Sequence, residues 1–570
     1  MYELDKLERT FVSKDLSITW ENIAPYYESL LNEKISSIEE LKKWLKNRSE
    51  LEAILEEDFA WRYIKMTCDT SNESFQKDFE FFATEIEPKL SEYNNQLNEK
   101  FLACPYIDQL DQSTYNIYIR SLKTQTEIFR QENIPLNMEL QVEQQKFGAI
   151  VGAMTIEHDG KEYTLEQASN FLKNTDREIR KQVYEKIQKR RIENKAELDE
   201  LFSKLVKLRH QVALNAGFEN YRDYMFKALG RFDYTADDCF KFHDAIEKEV
   251  VPLLQSLSEK RKVKLNVDVL KPYDTEVDVS GKAALVPFQG ADELLNKSIE
   301  CFEKLHPYFG EKLQTMKAHK LIDLESRKGK APGGYNYPLA ESGAPFIFMN
   351  SANAMRDLTT MVHEGGHAVH TFLTNHLEIN DFKRVPSEVA EVASMSMELI
   401  SMKYWDVFFK DADDLLRAKE EQLKDCLKTL PWVATIDAFQ HWIYTNPNHT
   451  VEEREQAWQN CFDRFGANFV NWEGYEEYKL NLWQKQLHLF EVPFYYIEYA
   501  IAQLAAIAIF KNFKTDEEKA LNQYMNALKL GYTKSIPEIY STAGISFDFS
   551  QSYIRSLIEF IKSELEALNK

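Results

Sequence analysis

Apolar residues recur three and four positions apart, with charged residues between them, over long stretches such as Ile38 to Leu55 and Glu197 to Ala213. This spacing gathers the apolar side chains on one face of an α-helix, so most of the chain is expected to form helices that bury those faces against one another. Strand-like segments are few. Ile150 to Thr164 holds two short runs around an Asp159-Gly160 turn, which is a hairpin pattern, and Ala344 to Asn350 is short and apolar. The Gly- and Pro-bearing stretch from Lys328 to Pro345 cannot continue a helix and separates helical regions. At 570 residues the chain exceeds what a single hydrophobic core serves. The expected fold is therefore mainly α, in two largely helical lobes with a small β insert, an N-terminal helical lobe over 1–185 and a second region over 186–570.

A formal charge of −22 argues against a polyanionic partner, because phosphate backbones are bound by clustered Lys and Arg. The one basic run, Lys186 to Lys195, is interrupted by Glu193 and followed by acids, and reads as a solvated helix face. No nucleic acid is expected. The most apolar segment, Tyr499 to Phe510, is twelve residues long and contains Gln503, whereas a bilayer crossing takes about twenty, so it reads as a buried helix and no membrane partner is expected. Six cysteines lie far apart with no C-x-x-C pair, and the opening residues Met-Tyr-Glu-Leu-Asp-Lys carry acids where an export signal has a basic end. Reduced thiols and a cytoplasmic location follow as expectations. Nothing in the sequence specifies an oligomeric state.

One pattern carries chemistry. In His363-Glu364-Gly365-Gly366-His367 the histidines stand four apart, so on a helix they present two imidazoles to a single ion with Glu364 beside them. Two glycines inside a helix cost about 1 kcal/mol each relative to Ala, and the space they leave suits a neighbouring element or a substrate backbone. A catalytic zinc site takes three protein ligands and keeps one position open. The long pattern that supplies a third His further along the same segment is excluded, because His370 and Leu373 occupy the positions where it places Gly and His. A carboxylate from a second helix is the remaining common solution. The first helix can run to about Asn375, Asn380 to Lys383 reads as a turn, and Pro386 suits the start of a second helix from Ser387 to Met402. Glu388, Glu391 and Glu398 share one face of it, and spacing does not choose among them. His370 lies about 10 Å along the axis from His363, too far to share its ion, which leaves it as a substrate contact or a solvated residue.

Beyond this motif, Val362 to His370, Arg384 to Leu399, Gly329 to Tyr335 and Pro493 to Tyr499 all resemble segments of the oligoendopeptidase F family, relatives of thimet oligopeptidase. Asn174 to Arg180 and Ala213 to Phe226 look similar as well, so the resemblance covers roughly residues 150 to 510. It implies two helical lobes flanking a deep channel with a zincin-type helix pair on its floor, one Zn(2+) per chain, and cleavage of short peptides. On this resemblance the third ligand is Glu391, with Glu388 as the fallback, and 186–570 is the catalytic zinc peptidase region.

Zinc chemistry of this kind polarises the scissile carbonyl and acidifies a water, whose proton Glu364 accepts and passes to the leaving amine. The oxyanion needs further donors. By resemblance these come from His488, Tyr496 and Tyr499, with Tyr495 as a neighbouring substrate contact. Gly333, Gly334 and Tyr335 are expected to form a loop over the cleft, and an exposed edge at Ala344 to Asn350 would hold an extended peptide by main-chain hydrogen bonds. Two other classes compete: a non-catalytic peptide-binding protein on a peptidase fold, which would need neither Glu364 nor zinc, and a helical protein stabilised by zinc, whose closed site would call for Cys or His ligands that this motif lacks nearby.

Overall fold

A computed structural model describes residues 3–331, 333–466 and 469–568, and Pro332 within the Gly329 to Tyr335 stretch lies outside the described residues. The described residues are mostly helical, with two small sheets among them. Its contacts form two units, each assembled from three stretches: Met1–Phe129, Leu285–Glu420 and Ala502–Phe547 in the first, Arg130–Ala284, Glu421–Ile501 and Asp548–Lys570 in the second.

Each unit has its own core. In the first, the helix Ile38–Cys68 starts where Ser37 Oγ accepts the Glu40 N–H, and buries Leu41, Trp44, Leu45 and Leu51 among Ile23, Tyr27, Phe101 and Tyr118. In the second, the helix Lys195–Asn215 lays Leu198, Phe202 and Leu205 against Trp483, Phe490 and Phe439. Both helices take the positions their apolar period predicts. The apolar segment expected as a buried helix lies in Ile497–Thr515, with every residue from Ile501 to Phe510 buried. Among the described residues no helix is long and apolar enough to cross a membrane.

The hairpin forms as its turn predicts. Strand β1 (Thr155–His158) pairs antiparallel with β2 (Lys161–Thr164), and both turn residues, Asp159 at φ 51° and Gly160 at φ 71°, take the left-handed conformation that suits the twist of a two-residue hairpin. The second sheet belongs to the first unit: β3 (Ile322–Glu325), β4 (Tyr335–Leu339) and β5 (Ala344–Ser351), in the order β3-β5-β4. The apolar segment read as an exposed edge is thus the central strand, parallel to β3 and antiparallel to β4. Two-sided pairing and burial of Ala344 through Met349 explain its continuous apolar run. The outer strands of this sheet are β3 and β4.

After β5 the chain enters the motif helix Met355–Thr374, whose first turn is held by Asp357 Oδ2, which accepts the N–H groups of Ala352 and Ala354. A turn at Asn380–Lys383 reverses the chain, and the companion helix Ser387–Ile400 begins directly after Pro386. The two glycines of the motif serve packing. A Cβ on Gly365 would come within 2.6 Å of the Phe302 ring, and one on Gly366 within 2.6 Å of the Ala393 carbonyl oxygen and 2.7 Å of Ser394 Cα. Tyr524 donates its hydroxyl at 2.7 Å to the same Ala393 carbonyl that faces Gly366, and Tyr540 donates to the Glu388 carbonyl at 3.0 Å.

Gly366→Ala is expected to destabilise the chain by about 1–3 kcal/mol, because backbone rather than a side-chain tip stands in the way. This overrides the ~1 kcal/mol helix-propensity gain of Ala. Gly365→Ala should cost less, since the Phe302 ring can swing aside. Thermal unfolding of the two variants beside the native chain checks the order.

Candidate active site

The motif helix places His363 and His367 on one face, their rings 4.9 Å apart between centroids, and both remain partly exposed. From the companion helix, Glu391 reaches between them: its Oε2 lies 3.3 Å from His363 Nε2 and 3.6 Å from His367 Nε2. One donor atom from each of these three residues falls within 4.8 Å of the other two. Ligands held ~2.0–2.1 Å from a tetrahedral ion stand roughly 3.3 Å from one another, so the set fits a zinc-sized cation. Glu391 is the carboxylate of the Ser-Glu-Val-Ala-Glu segment that arrives here. Glu388 is buried, and Glu398 takes a different task, its Oε1 lying 2.7 Å from His363 Nδ1. A carboxylate on the far nitrogen orients the imidazole and leaves Nε2 to face an ion. Ser394 Oγ donates to Glu391 Oε2 at 2.9 Å and steadies the third donor.

The electrostatics separate these groups. Burial opposes charge on His363, but hydrogen bonds to Glu391 and Glu398 outweigh it and raise its pKa well above the ordinary value. His367 feels the same burial with Glu391 as its one carboxylate and falls to about 4, a neutral imidazole with a lone pair to give. Glu391 is lowered to about 2: its burial is overcome by the charges of His367 and His363 and by hydrogen bonds from His363 and Ser394. At Glu364 burial outweighs the charge of His363 and, with repulsion from Glu391 and Glu398, raises the pKa to about 7. A carboxyl poised there exchanges protons near neutrality, as a general base must.

Other expected residues are placed as follows. Gly333 has φ 97°, and a Cβ on Gly334 would lie 3.3 Å from the Phe348 carbonyl oxygen, so this turn runs close to β5. Tyr335 opens β4, stacks on Phe348 at 4.7 Å and shares a 2.6 Å hydrogen bond with Thr67. The next residue, Asn336, donates to the Glu364 carbonyl at 3.2 Å, which ties the β4 edge to the motif helix. His370 is buried, with Nε2 lacking a hydrogen-bond partner among the described residues. Burial first and the charge of His367 second lower its pKa to about 3.

The second unit brings together His488, Tyr495, Tyr496 and Tyr499. The His488 ring lies 4.8 Å from Tyr496, 5.8 Å from Tyr499 and 6.0 Å from Tyr495. Gln486 has a part in this cluster that the sequence reading missed. The Trp432 indole N–H donates to Gln486 Oε1 at 3.0 Å, so the amide NH2 faces His488 Nδ1 at 2.7 Å and the ring proton belongs on Nε2. Burial pushes Tyr496 up to about 12, which keeps its phenol a donor at neutral pH. Just before these tyrosines Phe494 holds φ 67°, uncommon for a bulky residue. It is pinned by Gln440, which accepts its N–H at 2.6 Å, and by Arg231, which donates to its carbonyl and to Glu498 Oε1.

A family profile described as Peptidase family M3 matches residues 170–558, and one described as Peptidase M3 N-terminal domain matches 16–129. The chain is 24% identical over 410 residues to an oligoendopeptidase F homolog of Borreliella burgdorferi, covering 70% of this chain and 67% of that one. It is 23% identical over 421 residues to oligopeptidase PepF of Bacillus subtilis, covering 73% and 61%. These matches thus span about two thirds of the length of the curated relatives. A solved structure of PZ peptidase A with an inhibitor superposes with TM-score 0.90 at 28% identity, covering 96% of this chain and 98% of that one.

Replacing Glu398 by Gln is expected to weaken zinc affinity about 10- to 100-fold through loss of the charged partner on His363, with the fold intact. Glu391→Gln removes the one negative charge of the three-donor set and should weaken binding further than Glu398→Gln. Competition against a chromogenic chelator ranks the variants.

Proposed function

This chain belongs to peptidase family M3, and from that membership we propose that it is a zinc-dependent endopeptidase that hydrolyses short oligopeptides in the cytoplasm. One zinc ion per chain is held by His363, His367 and Glu391. The observation that carries this reading is the convergence of those three donor atoms within 4.8 Å on two helices packed at Gly366.

Zinc bound there supplies Lewis acidity, which polarises a carbonyl and lowers the pKa of a water toward ~7. Glu364 accepts the proton of the attacking water. Its carboxyl, raised to about 7, then returns that proton to the departing amine nitrogen, and the peptide bond is cleaved. His488 with its proton on Nε2, Tyr496 and Tyr499 are the proposed donors to the oxyanion, and Tyr495 a substrate contact beside them.

An extended peptide needs a strand edge, and β4 is an outer strand joined to the motif helix through Asn336. Main-chain hydrogen bonds along it would align a substrate of any sequence. Gly333 and Gly334, with no side chains, and Tyr335 at its start are the proposed contacts there. Short peptides as substrates are supported by the relatives named oligopeptidase and oligoendopeptidase.

Glu364→Gln is expected to keep zinc and lose about 10²- to 10⁴-fold in kcat on a quenched peptide library. Full activity in this variant would sink the proposed mechanism, and active native protein free of zinc would sink the site. Tyr496→Phe is expected to lower kcat by up to about 10³-fold with zinc content unchanged, which steady-state kinetics beside metal analysis would check.

A further inference from the structure

The second unit holds another set of metal-ligand side chains that peptide hydrolysis does not use. Its helix Ala236–Glu249 carries Cys239 and His243, and the helix Ala412–Thr445 carries Asp437 and His441. Each pair is spaced four apart and so lies on one helix face, and the pairs meet. One donor atom from each of Cys239, Asp437 and His441 lies within 4.8 Å of the other two, and His243 Nε2 is 2.9 Å from Asp437 Oδ2.

These four are sealed from solvent: Cys239 and Asp437 are 0% exposed, His243 1% and His441 4%. Aromatic rings wall them in, with Phe226, Phe240 and Phe494 around His441 and Phe465 beside His243. Such a place is costly for polar atoms that lack partners. Yet Asp437 Oδ1 and both ring nitrogens of His441 make no hydrogen bond among the described residues, although His441 Nε2 stands 3.3 Å from Asp437 Oδ2. The Cys239 thiol is not in a disulfide.

We propose that Cys239, Asp437 and His441 bind a second divalent cation of the zinc class, with His243 orienting Asp437 through Oδ2. Mixed sulfur, nitrogen and oxygen donors suit zinc. A thiolate and a carboxylate together cancel the two charges of the ion, so the apolar surroundings enclose a neutral group. On binding, the Cys239 thiol releases its proton to solvent as the S–metal bond forms. With no exposed side for a substrate to reach, the site is structural, and it clamps the helix of Cys239 to the helix of Asp437. It does not depend on the peptidase reading, because the two ligand sets share no residue.

Metal analysis of the full chain purified with zinc is expected to find two ions per chain, one of them lost in His367→Ala and the other in Cys239→Ala. Replacement by cobalt(II) isolates the second site, since the His363, His367 and Glu391 set has no sulfur. Native chain loaded with cobalt should show thiolate-to-cobalt charge-transfer absorption that persists in His367→Ala and vanishes in Cys239→Ala. Should Cys239→Ala fail to fold, the native spectrum alone decides. Native chain without that absorption, holding no zinc that survives His367→Ala, would overturn the proposal and leave a buried His–Asp pair. Failure of the peptidase reading looks different: the absorption present, and no zinc at His363 and His367.

Discussion

The backbone contact at Gly366 is the constraint on which the candidate active site depends. A glutamate reaches an imidazole on a neighbouring helix when the helices approach closely, and here the Ala393 carbonyl and Ser394 Cα occupy the space a side chain at 366 would need. The cost is two glycines within one helix, about 1 kcal/mol each. Burial of Leu358, Met361, Val362 and Val369 along the same helix offsets it. Tyr524 and Tyr540 then hold the companion helix through its carbonyls, so Glu391 is placed by backbone contacts as much as by its own side chain.

With that distance set, differences in hydrogen bonding give near neighbours opposite behaviour. Glu391 and Glu364 are both buried, yet the first is lowered to about 2 by two imidazoles and the second raised to about 7 by burial. One is thereby held as an anion at neutral pH, and the other is poised to exchange a proton there. His363, bound by Glu398 on one side and Glu391 on the other, differs from His367 for the same reason. In the second unit, polarity is set by relay: the indole N–H of Trp432 can only donate, which orients the Gln486 amide and through it the His488 ring. The strained Phe494 backbone just before the tyrosines is held by Gln440 and Arg231, the latter anchored by Glu498.

Features governed by short-range rules were legible in the sequence. The helical period located Ile38–Cys68 and Lys195–Asn215, Asp159-Gly160 specified a hairpin, and the turn before Pro386 predicted two helices lying against each other. The paired glycines announced a close neighbour without naming Phe302 or Ala393. What depends on distant partners was not legible. Strand β5 could be recognised as a strand but not as a central one, because that depends on β3 and β4 pairing to both sides. Glu388, Glu391 and Glu398 lie on one face, and the way the helices pack, rather than spacing, separates the one between the imidazoles from the one behind His363. Gln486 gains its role through a tryptophan 54 positions away. The three-segment make-up of each unit likewise arises from contacts across long loops of sequence.

The candidate active site and the cluster proposed in the second unit share one geometric rule. Each draws on side chains four apart on a helix and completes its set from a second helix. At His363 and His367 the side chains keep 22% and 20% of their surface exposed, and a carboxyl with a raised pKa sits between them in sequence. There a substrate can approach and a proton has somewhere to go. At Cys239, Asp437 and His441 the surface is closed by phenylalanines, and His243 is occupied with Asp437. Ligand type alone does not separate a reactive centre from a structural one. Access does: the first cluster keeps exposed surface beside Glu364, and the second is closed by aromatic rings.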